Sequence, residues 1–439
     1  MIRLFDVPAQ ALDSVVAALE RPPESVSPEQ RHTVDLIVEA VRQRGDEALL
    51  FTTEKYDGFK AKSARELVIA RHEFEAAERA LAPPARAALL YAAERIERYH
   101  AASMPKSWRI TDEHGSLLGQ EIRPLDRVGV YGPGGRAAYP STVLMTAIPA
   151  RVAGVHDVVL VTPPAADGSV NATVLAAAQI AGVTEGYRVG GAQAVAALAF
   201  GTPTIRRVDK IVGPGNIYVA LAKRRVYGDV GIDMVAGPSE VVVIADAAAD
   251  ADWVAADLLA QAEHDPMARA VLITDAEPLL HAVAAALERQ LARLPRRAIA
   301  AEALETHGAL VRVPTLDHAV DLANRLAPEH LELLVQAPQP LLGRVRHAGA
   351  VFVGGQTPEV VGDYVAGPSH VLPTAGTARF SSPLGVEDFV KRASVIEYSR
   401  SGLAAAWPHL ATLTELEGLA GHGRAAEVRI ASKGRGDGA

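Results

Sequence analysis

One short stretch of the sequence combines two residue types that bind metal ions. It reads Gln261-Ala262-Glu263-His264 and follows an Ala-rich window with helical character. Side chains three positions apart lie on one face of a helix, so Gln261 and His264 could supply two ligands to one ion. Because the chain contains no cysteine, a zinc ion here must use nitrogen and oxygen donors. The alternative is an exposed polar pair on a surface helix.

A second stretch offers two groups for proton transfer. It reads Ala327-Pro328-Glu329-His330-Leu331-Glu332 and lies at the edge of an apolar run. Glu329 and His330 differ in basicity, and a carboxylate and an imidazole are common general acids and bases. On a helix, adjacent side chains diverge and would reach a ligand from different angles. The alternative is an exposed helix start with a capping Glu329.

Further acids and imidazoles lie in glycine-containing loops. Asp363 follows Gly362, His370 ends the phrase Gly367-Pro368-Ser369-His370, and Glu417 and His422 lie near the C-terminus. These are the ligand types that a site begun by Gln261 and His264 still needs. Each of them alone has the ordinary explanation of a polar loop residue.

Two kinds of loop could approach a cofactor. Residues 132–137 match G-x-G-x-x-A after an apolar strand, but the next strand ends in Thr162-Pro163-Pro164, without the acid that contacts ribose in dinucleotide-binding folds. The alternative is a tight strand-to-helix turn. Gln193 and Asn216 follow small residues at the ends of two other strands, where a ligand can approach the backbone. The alternative for both is a helix cap.

The sequence predicts an α/β protein as the fold that positions these residues. A capping box at residues 27–30 starts a mainly helical region of about the first hundred residues. From Arg127 onward, short β-branched runs alternate with Ala-rich helical windows, which is typical of parallel sheets covered by helices. The predicted strands are 128–131, 158–162, 187–189, 210–212, 241–245, 271–274, 310–313 and 351–353.

Composition excludes several classes of protein. The 439 residues carry 44 basic and 52 acidic side chains, a net charge of -8 that disfavours nucleic acid as a partner. Without cysteine, disulfides and thiol nucleophiles are excluded. The start has no apolar signal region, and no stretch is long and apolar enough for a membrane span. We therefore expect a cytoplasmic protein without a membrane partner.

Taken in order, these phrases resemble histidinol dehydrogenases. The resemblance covers nearly the whole chain, from about Ser27 to Arg429, and the order and spacing of the phrases make it specific. The matching phrases are residues 128–135, 189–194, 212–216, 236–240, 261–264, 327–332, 362–370 and 417–422.

The resemblance implies an enzyme that oxidises L-histidinol to L-histidine through L-histidinaldehyde with NAD, in the last two steps of histidine biosynthesis. It implies one Zn²⁺ per subunit and a homodimer with shared active sites. The implied fold has two incomplete Rossmann-like domains with parallel-type sheets and small, mainly helical N- and C-terminal segments that form a dimerisation arm. The resemblance also implies four segments. Residues 1–25 form an N-terminal segment that packs with the C-terminal arm, and residues 26–130 with 240–383 form the first Rossmann-like domain. Residues 131–239 form the second Rossmann-like domain, which binds NAD, and residues 384–439 form the arm that reaches the partner subunit.

The resemblance also assigns roles by position. The acid/base pair falls on Glu329 and His330, and the NAD contacts fall on Tyr131, Gln193 and Asn216. The zinc ligands fall on Gln261, His264, Asp363 and His422, the last from the partner subunit. The substrate contacts fall on Ser239, Gln261, His264, His330, Asp363, Glu417 and His422, with His370 ranked second.

Three other functions are alternatives to the oxidation of histidinol. One is a paralogous zinc and NAD dehydrogenase of another small alcohol, such as a sulfonated propanediol, which would want extra basic residues near the metal. Another is a zinc hydrolase with Glu329 as base, in which the NAD contacts would be idle. The last is a non-catalytic binding protein, which has little need of an acid/base pair beside a metal.

Overall fold

A computed structural model of the chain describes residues 2–8, 12–19, 26–134 and 139–431. It divides into two compact units, residues 1–103 with 125–389 and residues 104–124 with 390–439. No helix among the described residues is long and apolar enough to cross a membrane.

Fifteen strands are described. They are β1 (Arg3–Asp6), β2 (Val68–Ile69), β3 (Trp108–Thr111), β4 (Leu117–Pro124), β5 (Arg127–Tyr131), β6 (Asp157–Thr162), β7 (Glu185–Arg188), β8 (Lys210–Val212), β9 (Gly231–Ile232), β10 (Glu240–Ala245), β11 (Arg269–Thr274), β12 (Ala309–Arg312), β13 (His330–Leu334), β14 (Ala350–Val353) and β15 (Val390–Glu397). All eight predicted strands are confirmed in position.

Seventeen α-helices are described. They are α1 (Leu12–Leu19), α2 (Pro28–Arg44), α3 (Asp46–Asp57), α4 (Arg71–Arg79), α5 (Pro83–Ala102), α6 (Pro140–Val152), α7 (Ala172–Ala181), α8 (Gly191–Phe200), α9 (Ile217–Val226), α10 (Ala251–Ala262), α11 (Glu277–Leu291), α12 (Arg297–Thr306), α13 (Leu316–Leu326), α14 (Pro338–Leu342), α15 (Glu359–Tyr364), α16 (Arg400–Leu416) and α17 (Ala420–Ala431). The predicted capping box at Ser27 and Gln30 is present at the start of α2.

The larger unit contains two six-stranded sheets. The first has the order β1-β12-β11-β10-β13-β14 and is entirely parallel. The second has the order β2-β7-β6-β5-β8-β9 and is parallel except for the short edge strand β2. Strands β10 and β11 are buried along their whole length, because helices cover both faces of such a sheet. In the first sheet β10 lies near the middle, with β11 and β12 on one side and β13 and β14 on the other. In the second sheet β5 has the same place, with β6 and β7 on one side and β8 and β9 on the other, as in Rossmann-like folds. The earliest strands, β1 and β2, each lie at an edge of their sheet.

Helices from the first hundred residues pack on the second sheet. Val34, Ile37, Val38 and Val41 on one face of α2 belong to the same buried cluster as residues of α8 and β6. Helix α4 packs on α7, and α5 packs on α6. The spacing of Val34, Ile37, Val38 and Val41 marks the buried face of α2, and this cluster covers that face.

The predicted domain division differs from these contacts in two places. It grouped residues 26–130 with 240–383, whereas the apolar faces of α2 to α5 are buried against helices of the 131–239 sheet. It also placed residues 1–25 against the C-terminal arm, whereas β1 pairs with β12 and α1 packs on α13 in the first sheet's layer. Pairing with β1 satisfies backbone groups of β12 that would otherwise form a bare sheet edge.

The smaller unit consists of an antiparallel sheet and two helices. Strand β4 lies between β15 and β3, and it pairs with β15 over eight residues. Helices α16 and α17 follow and pack on each other. The helical C-terminal segment was predicted, and the three-stranded sheet is an addition to that prediction.

Candidate active site

The main chain of Glu240 holds both members of the predicted acid/base pair. Strands β10 and β13 are neighbours, with Val241 in register with His330, so Glu240 lies beside Glu329. The Glu240 N–H donates to Oε2 of Glu329 at 2.9 Å. Nδ1 of His330 lies 3.1 Å from the Glu240 carbonyl oxygen, which can only accept. Nδ1 therefore carries the proton, and Nε2 keeps the lone pair that a base needs.

The interpretation of Glu329 and His330 as an exposed helix start is wrong. His330 is the first residue of β13, and the two residues are only 5% and 4% exposed. Burial lowers the pKa of His330 to about 4, and positive charge on His264 and His370 contributes to this shift. His330 is therefore neutral near pH 7, in the form that accepts a proton.

Two carboxylates from α15 face His330. Glu359 and Asp363 are four residues apart, which places them on one face of this helix. One ligand atom from each of His330, Glu359 and Asp363 lies within 4.8 Å of the others. Burial and the nearby carboxylates of Asp363, Glu332 and Glu329 raise the pKa of Glu359 well above its ordinary value, and burial raises the pKa of Asp363 to about 6. Acids placed this closely favour a cation among them.

Gln261 reaches the same group from the last turn of α10. It is fully buried. In the amide orientation that satisfies both neighbours, its nitrogen donates to Oε1 of Glu359 at 2.6 Å and its oxygen accepts from the Glu240 N–H at 2.7 Å. His264 lies just beyond the helix, and its backbone N–H donates to the Gln261 carbonyl at 3.2 Å. His264 is exposed, and its charge lowers the pKa of both His330 and His370, so it acts electrostatically on the same group.

His370 is held at both ring nitrogens. Nδ1 donates to the backbone carbonyl of Asp363 at 3.0 Å, and Nε2 lies 3.1 Å from the hydroxyl of Thr142. Burial lowers its pKa to about 4. Its ring therefore fixes the peptide of Asp363.

Ser239 immediately precedes β10, and its carbonyl accepts from the Arg269 N–H at 3.0 Å.

Three predicted cofactor contacts lie at the carboxyl edge of the second sheet. Tyr131 ends β5, and its hydroxyl accepts from the Gly191 N–H at 3.0 Å. Gln193 is buried in the first turn of α8, and its amide nitrogen donates to Oδ2 of Asp57 at 3.0 Å. Asn216 caps α9 through its amide oxygen, so the cap interpretation is confirmed there. The cap uses only the oxygen, and the amide nitrogen remains for a ligand.

A glycine allows the main chain to pack closely at this edge. Gly213 has φ 106°, and a Cβ there would lie 2.6 Å from the Tyr131 carbonyl oxygen. Only glycine fits such a position, because a side chain would collide with the main chain at the end of β5. The G-x-G-x-x-A phrase begins at Gly132, but residues 135–137 lie outside the described part of the chain.

The family follows from comparison with known proteins. The histidinol dehydrogenase family model matches residues 19–430. The chain belongs to the histidinol dehydrogenase family. It is 55% identical over 413 residues to histidinol dehydrogenase of Geobacillus kaustophilus, with 94% of this chain and 97% of that protein covered. It is 52% identical to the enzyme of Syntrophotalea carbinolica, with 96% of each chain covered.

The fold agrees with a solved member of the family. The crystal structure of histidinol dehydrogenase from Elizabethkingia anophelis has a TM-score of 0.93 and 34% identity, with 98% of each chain covered. The α/β architecture with parallel sheets is therefore that of histidinol dehydrogenases. This confirms the resemblance that the sequence indicated.

Two residues of the predicted site lie in the smaller unit. Glu417 caps the C-terminus of α16, and His422 is in the first turn of α17. Both are exposed. The larger unit brings together Gln261, His264, Glu329, His330 and Asp363, whereas the part that Glu417 and His422 play in a histidinol dehydrogenase site stays a prediction.

Sequence reasoning missed a layer of buried acids behind this site. Glu332 is fully buried and is hydrogen-bonded to Asp257, and its Oε1 accepts from the Glu359 N–H at 2.9 Å. Burial and the charge of Asp257 raise the pKa of Glu332 to about 9, so Glu332 carries a proton near pH 7. The sequence did contain a signal for these residues, namely an acidic residue inside an otherwise apolar strand or helix. Acidic residues are rarely buried unless they are paired, so such a position indicates a specific role.

Proposed function

We propose that the protein oxidises L-histidinol to L-histidine through L-histidinaldehyde, with two NAD and one Zn²⁺ per subunit. This would be the end of histidine biosynthesis, in the cytoplasm. Family membership supports the reaction. The observation that carries it is the main chain of Glu240, which holds an acid and a base beside the carboxylates of Glu359 and Asp363.

The residues present fit a zinc ion. Gln261, His264 and Asp363 offer one amide, one imidazole and one carboxylate, and His422 of the partner subunit would complete four ligands. The imidazole offers a nitrogen donor and the amide and buried acids offer oxygen donors, which is a set that zinc accepts in a chain without cysteine. When bound, zinc supplies positive charge that holds a substrate nitrogen and fixes the reacting carbon.

His330 would act first. In its neutral form with Nδ1 protonated, Nε2 takes the hydroxyl proton of the alcohol while the hydride leaves the same carbon for the cofactor. The product is the aldehyde. His330 is oriented by a backbone carbonyl, so the same ring nitrogen is presented in every turnover.

Glu329 would act second. The absence of cysteine closes the route in which a thiol traps the aldehyde, which leaves hydration. Glu329 takes a proton from water as the water oxygen bonds to the aldehyde carbon, and the former carbonyl oxygen takes up the proton that His330 received from the alcohol, giving the hydrate. Transfer of a hydride from that carbon to the second NAD, with transfer of a hydroxyl proton to His330, then yields the carboxylic acid.

The cofactor and substrate would meet between the two sheets of the larger unit. Tyr131, Gln193 and Asn216 would bind NAD at the carboxyl edge of the second sheet, where nicotinamide cofactors bind in related folds. Ser239 and Glu417 would contact histidinol together with the zinc ligands and His330. Histidinol is a cation near neutral pH, and the acids of this site suit a cation. The enzyme would be a homodimer with shared sites.

The test is NADH formation by the purified protein with NAD and L-histidinol, before and after chelation and zinc restoration. We expect NADH absorbance with histidinol, loss of activity on chelation, and recovery with zinc. Turnover of another small alcohol but none of histidinol would contradict the proposed substrate and leave the dehydrogenase site in place.

A further inference from the structure

The second sheet lacks an acid where dinucleotide-binding folds usually place one. In such folds a carboxylate at the end of the strand next to the central one accepts hydrogen bonds from the ribose of NAD. Here the central strand is β5 and its neighbour is β6. Strand β6 ends at Thr162, and Pro163 and Pro164 follow. The strand itself therefore offers no carboxylate for the ribose.

An acid from outside the sheet lies beside this position. Asp57 is the last residue of α3, and its carboxylate accepts from the Gly190 N–H and from the amide of Gln193. A Cβ placed on Gly190 would lie 2.5 Å from Cβ of Pro163 and 3.2 Å from Oδ1 of Asp57. Gly190 therefore lies between the Asp57 carboxylate and the end of β6, and it has no side chain to keep the two apart. Asp57 thus lies close to the position where other dinucleotide-binding folds have the ribose-binding acid.

The carboxylate of Asp57 has capacity left for a ligand. Two hydrogen bonds use about half of the four lone-pair positions of an ionised carboxylate. Asp57 is half-buried, so one side remains accessible, and no ion pair to it is found among the described residues. A negative group in such a place accepts hydrogen bonds from hydroxyls and repels phosphate.

We propose that Asp57 is the residue that selects the cofactor. Its carboxylate accepts a hydrogen bond from the adenosine ribose of NAD and disfavours NADP, which carries a 2′-phosphate there. The inference rests on the proposed NAD-linked function and adds to it a residue from α3, outside the sheet that binds the cofactor.

The test is equilibrium binding of NADH and NADPH, measured by nucleotide fluorescence, with steady-state kinetics for NAD and NADP as a second readout. The variants are Asp57→Asn, which removes the charge, and Asp57→Glu, which keeps it. Glu54→Gln is the matched control, because Glu54 is an exposed acid on the same helix, paired with Lys60 at 3.2 Å. Thermal unfolding checks that each variant is folded.

We expect the native protein to bind NADH much more tightly than NADPH. In Asp57→Asn the preference for NADH over NADPH should fall by about tenfold or more. The variant weakens one hydrogen bond to the ribose of NADH and removes the repulsion between the carboxylate and the phosphate of NADPH. Asp57→Glu should keep most of the preference, and Glu54→Gln should keep all of it.

Several results would overturn the inference. One is equal binding of NADH and NADPH by the native protein, and another is equal weakening of both in Asp57→Asn, which would show that Asp57 only orders the Gly190 loop. If Asp57→Asn does not fold, loss of the preference in a folded Asp57→Glu would also count against the selecting role. Failure of the proposed function looks different, because the native protein would then make no NADH from histidinol whatever its nucleotide preference.

Discussion

Glu240 and His330 begin neighbouring strands, and the carbonyl oxygen of Glu240 lies 3.1 Å from Nδ1 of His330. The N–H of the same residue donates to Glu329. The side chain of Glu240 is paired with Arg269 in the buried interior, which anchors this end of the sheet. The main chain of one residue thus fixes the tautomer of the base and the orientation of the acid, at the amino edge of a parallel sheet.

The division of labour between Glu329 and His330 can be tested by half-reactions. Glu329→Gln removes the base for hydration and keeps the side-chain shape, so aldehyde oxidation should fall by about a hundredfold or more while alcohol oxidation falls less. Rapid-mixing assays with histidinol and with histidinaldehyde as separate substrates measure the two steps. In His330→Asn, alcohol oxidation should fall more than aldehyde oxidation. Equal losses in both steps for Glu329→Gln would reject this division of roles.

The proposed contribution of His422 across the dimer predicts complementation. His422→Ala alone and His330→Asn alone should each be nearly inactive, and His422→Ala should lose zinc. Mixing the two after dissociation should restore about a quarter of native activity, because half of the dimers are mixed and each has one intact site. The measurement is activity against mixing ratio. No recovery from mixed dimers, or full zinc and activity in His422→Ala, would contradict a shared site.

A buried ion pair holds residues 213–216 between β8 and α9, the cofactor loop, which ends at Asn216. Nζ of Lys223 donates to the Gly213 carbonyl at 3.0 Å and pairs with Asp233, which accepts from the Gly213 N–H at 2.8 Å. Lys223→Met leaves Asp233 buried and unpaired, so we expect a loss of about 3 kcal/mol or more in the free energy of unfolding. The KM for NAD should rise by more than the KM for histidinol. Arg224→Met, at an exposed position of the same helix, is the control and should change neither. Equal rises in both KM values would argue against a specific effect on the cofactor loop.

The pH dependence of stability should report the ion-pair group of Arg127. Arg127 is buried and binds Glu185 and Asp157, and its hydrogen bond lowers the pKa of Glu185 to about 2. Because this pKa is depressed on folding, the stabilisation is complete above the ordinary value of 4.5 and is lost as the pH falls toward 2.

Arg127→Met should therefore be less stable than the native protein by about 3 kcal/mol near pH 7, with a smaller difference at low pH. Denaturant unfolding at several pH values measures this. Arg206→Met is the matched control, since Arg206 binds the same two acids from an exposed position and should cost less than about 1 kcal/mol. A difference between Arg127→Met and the native protein that does not shrink in acid would contradict the assignment.

Much of the fold was predictable because its signals are local. The β-branched runs of β6, β10 and β11 are buried on both faces, so they stand out as continuous apolar segments. Strand β15 escaped prediction because it is largely exposed and lacks a regular apolar alternation. The start of β13 was ambiguous, since a segment of only five residues with leucine at three positions fits a strand or a helix equally well.

The candidate site was predictable only where its residues lie in recognisable phrases. Gln261, His264 and the Glu329-His330 pair do, and the fold brings them together. Glu359 has no such phrase, and its position depends on the packing of α15 against β13, which no local pattern encodes. The same limit applies to α2, because an amphipathic pattern marks a buried face without indicating which sheet covers it.

The central claim is a zinc-dependent, four-electron oxidation, and the most direct test is the stoichiometry of NADH. Purified protein is stripped of metal, reloaded with zinc, and given limiting L-histidinol with excess NAD, and NADH and histidine are counted. The account predicts two NADH and one histidine per histidinol, none without metal, and full recovery with zinc. One NADH per histidinol with the aldehyde as final product, or undiminished turnover without metal, would contradict it.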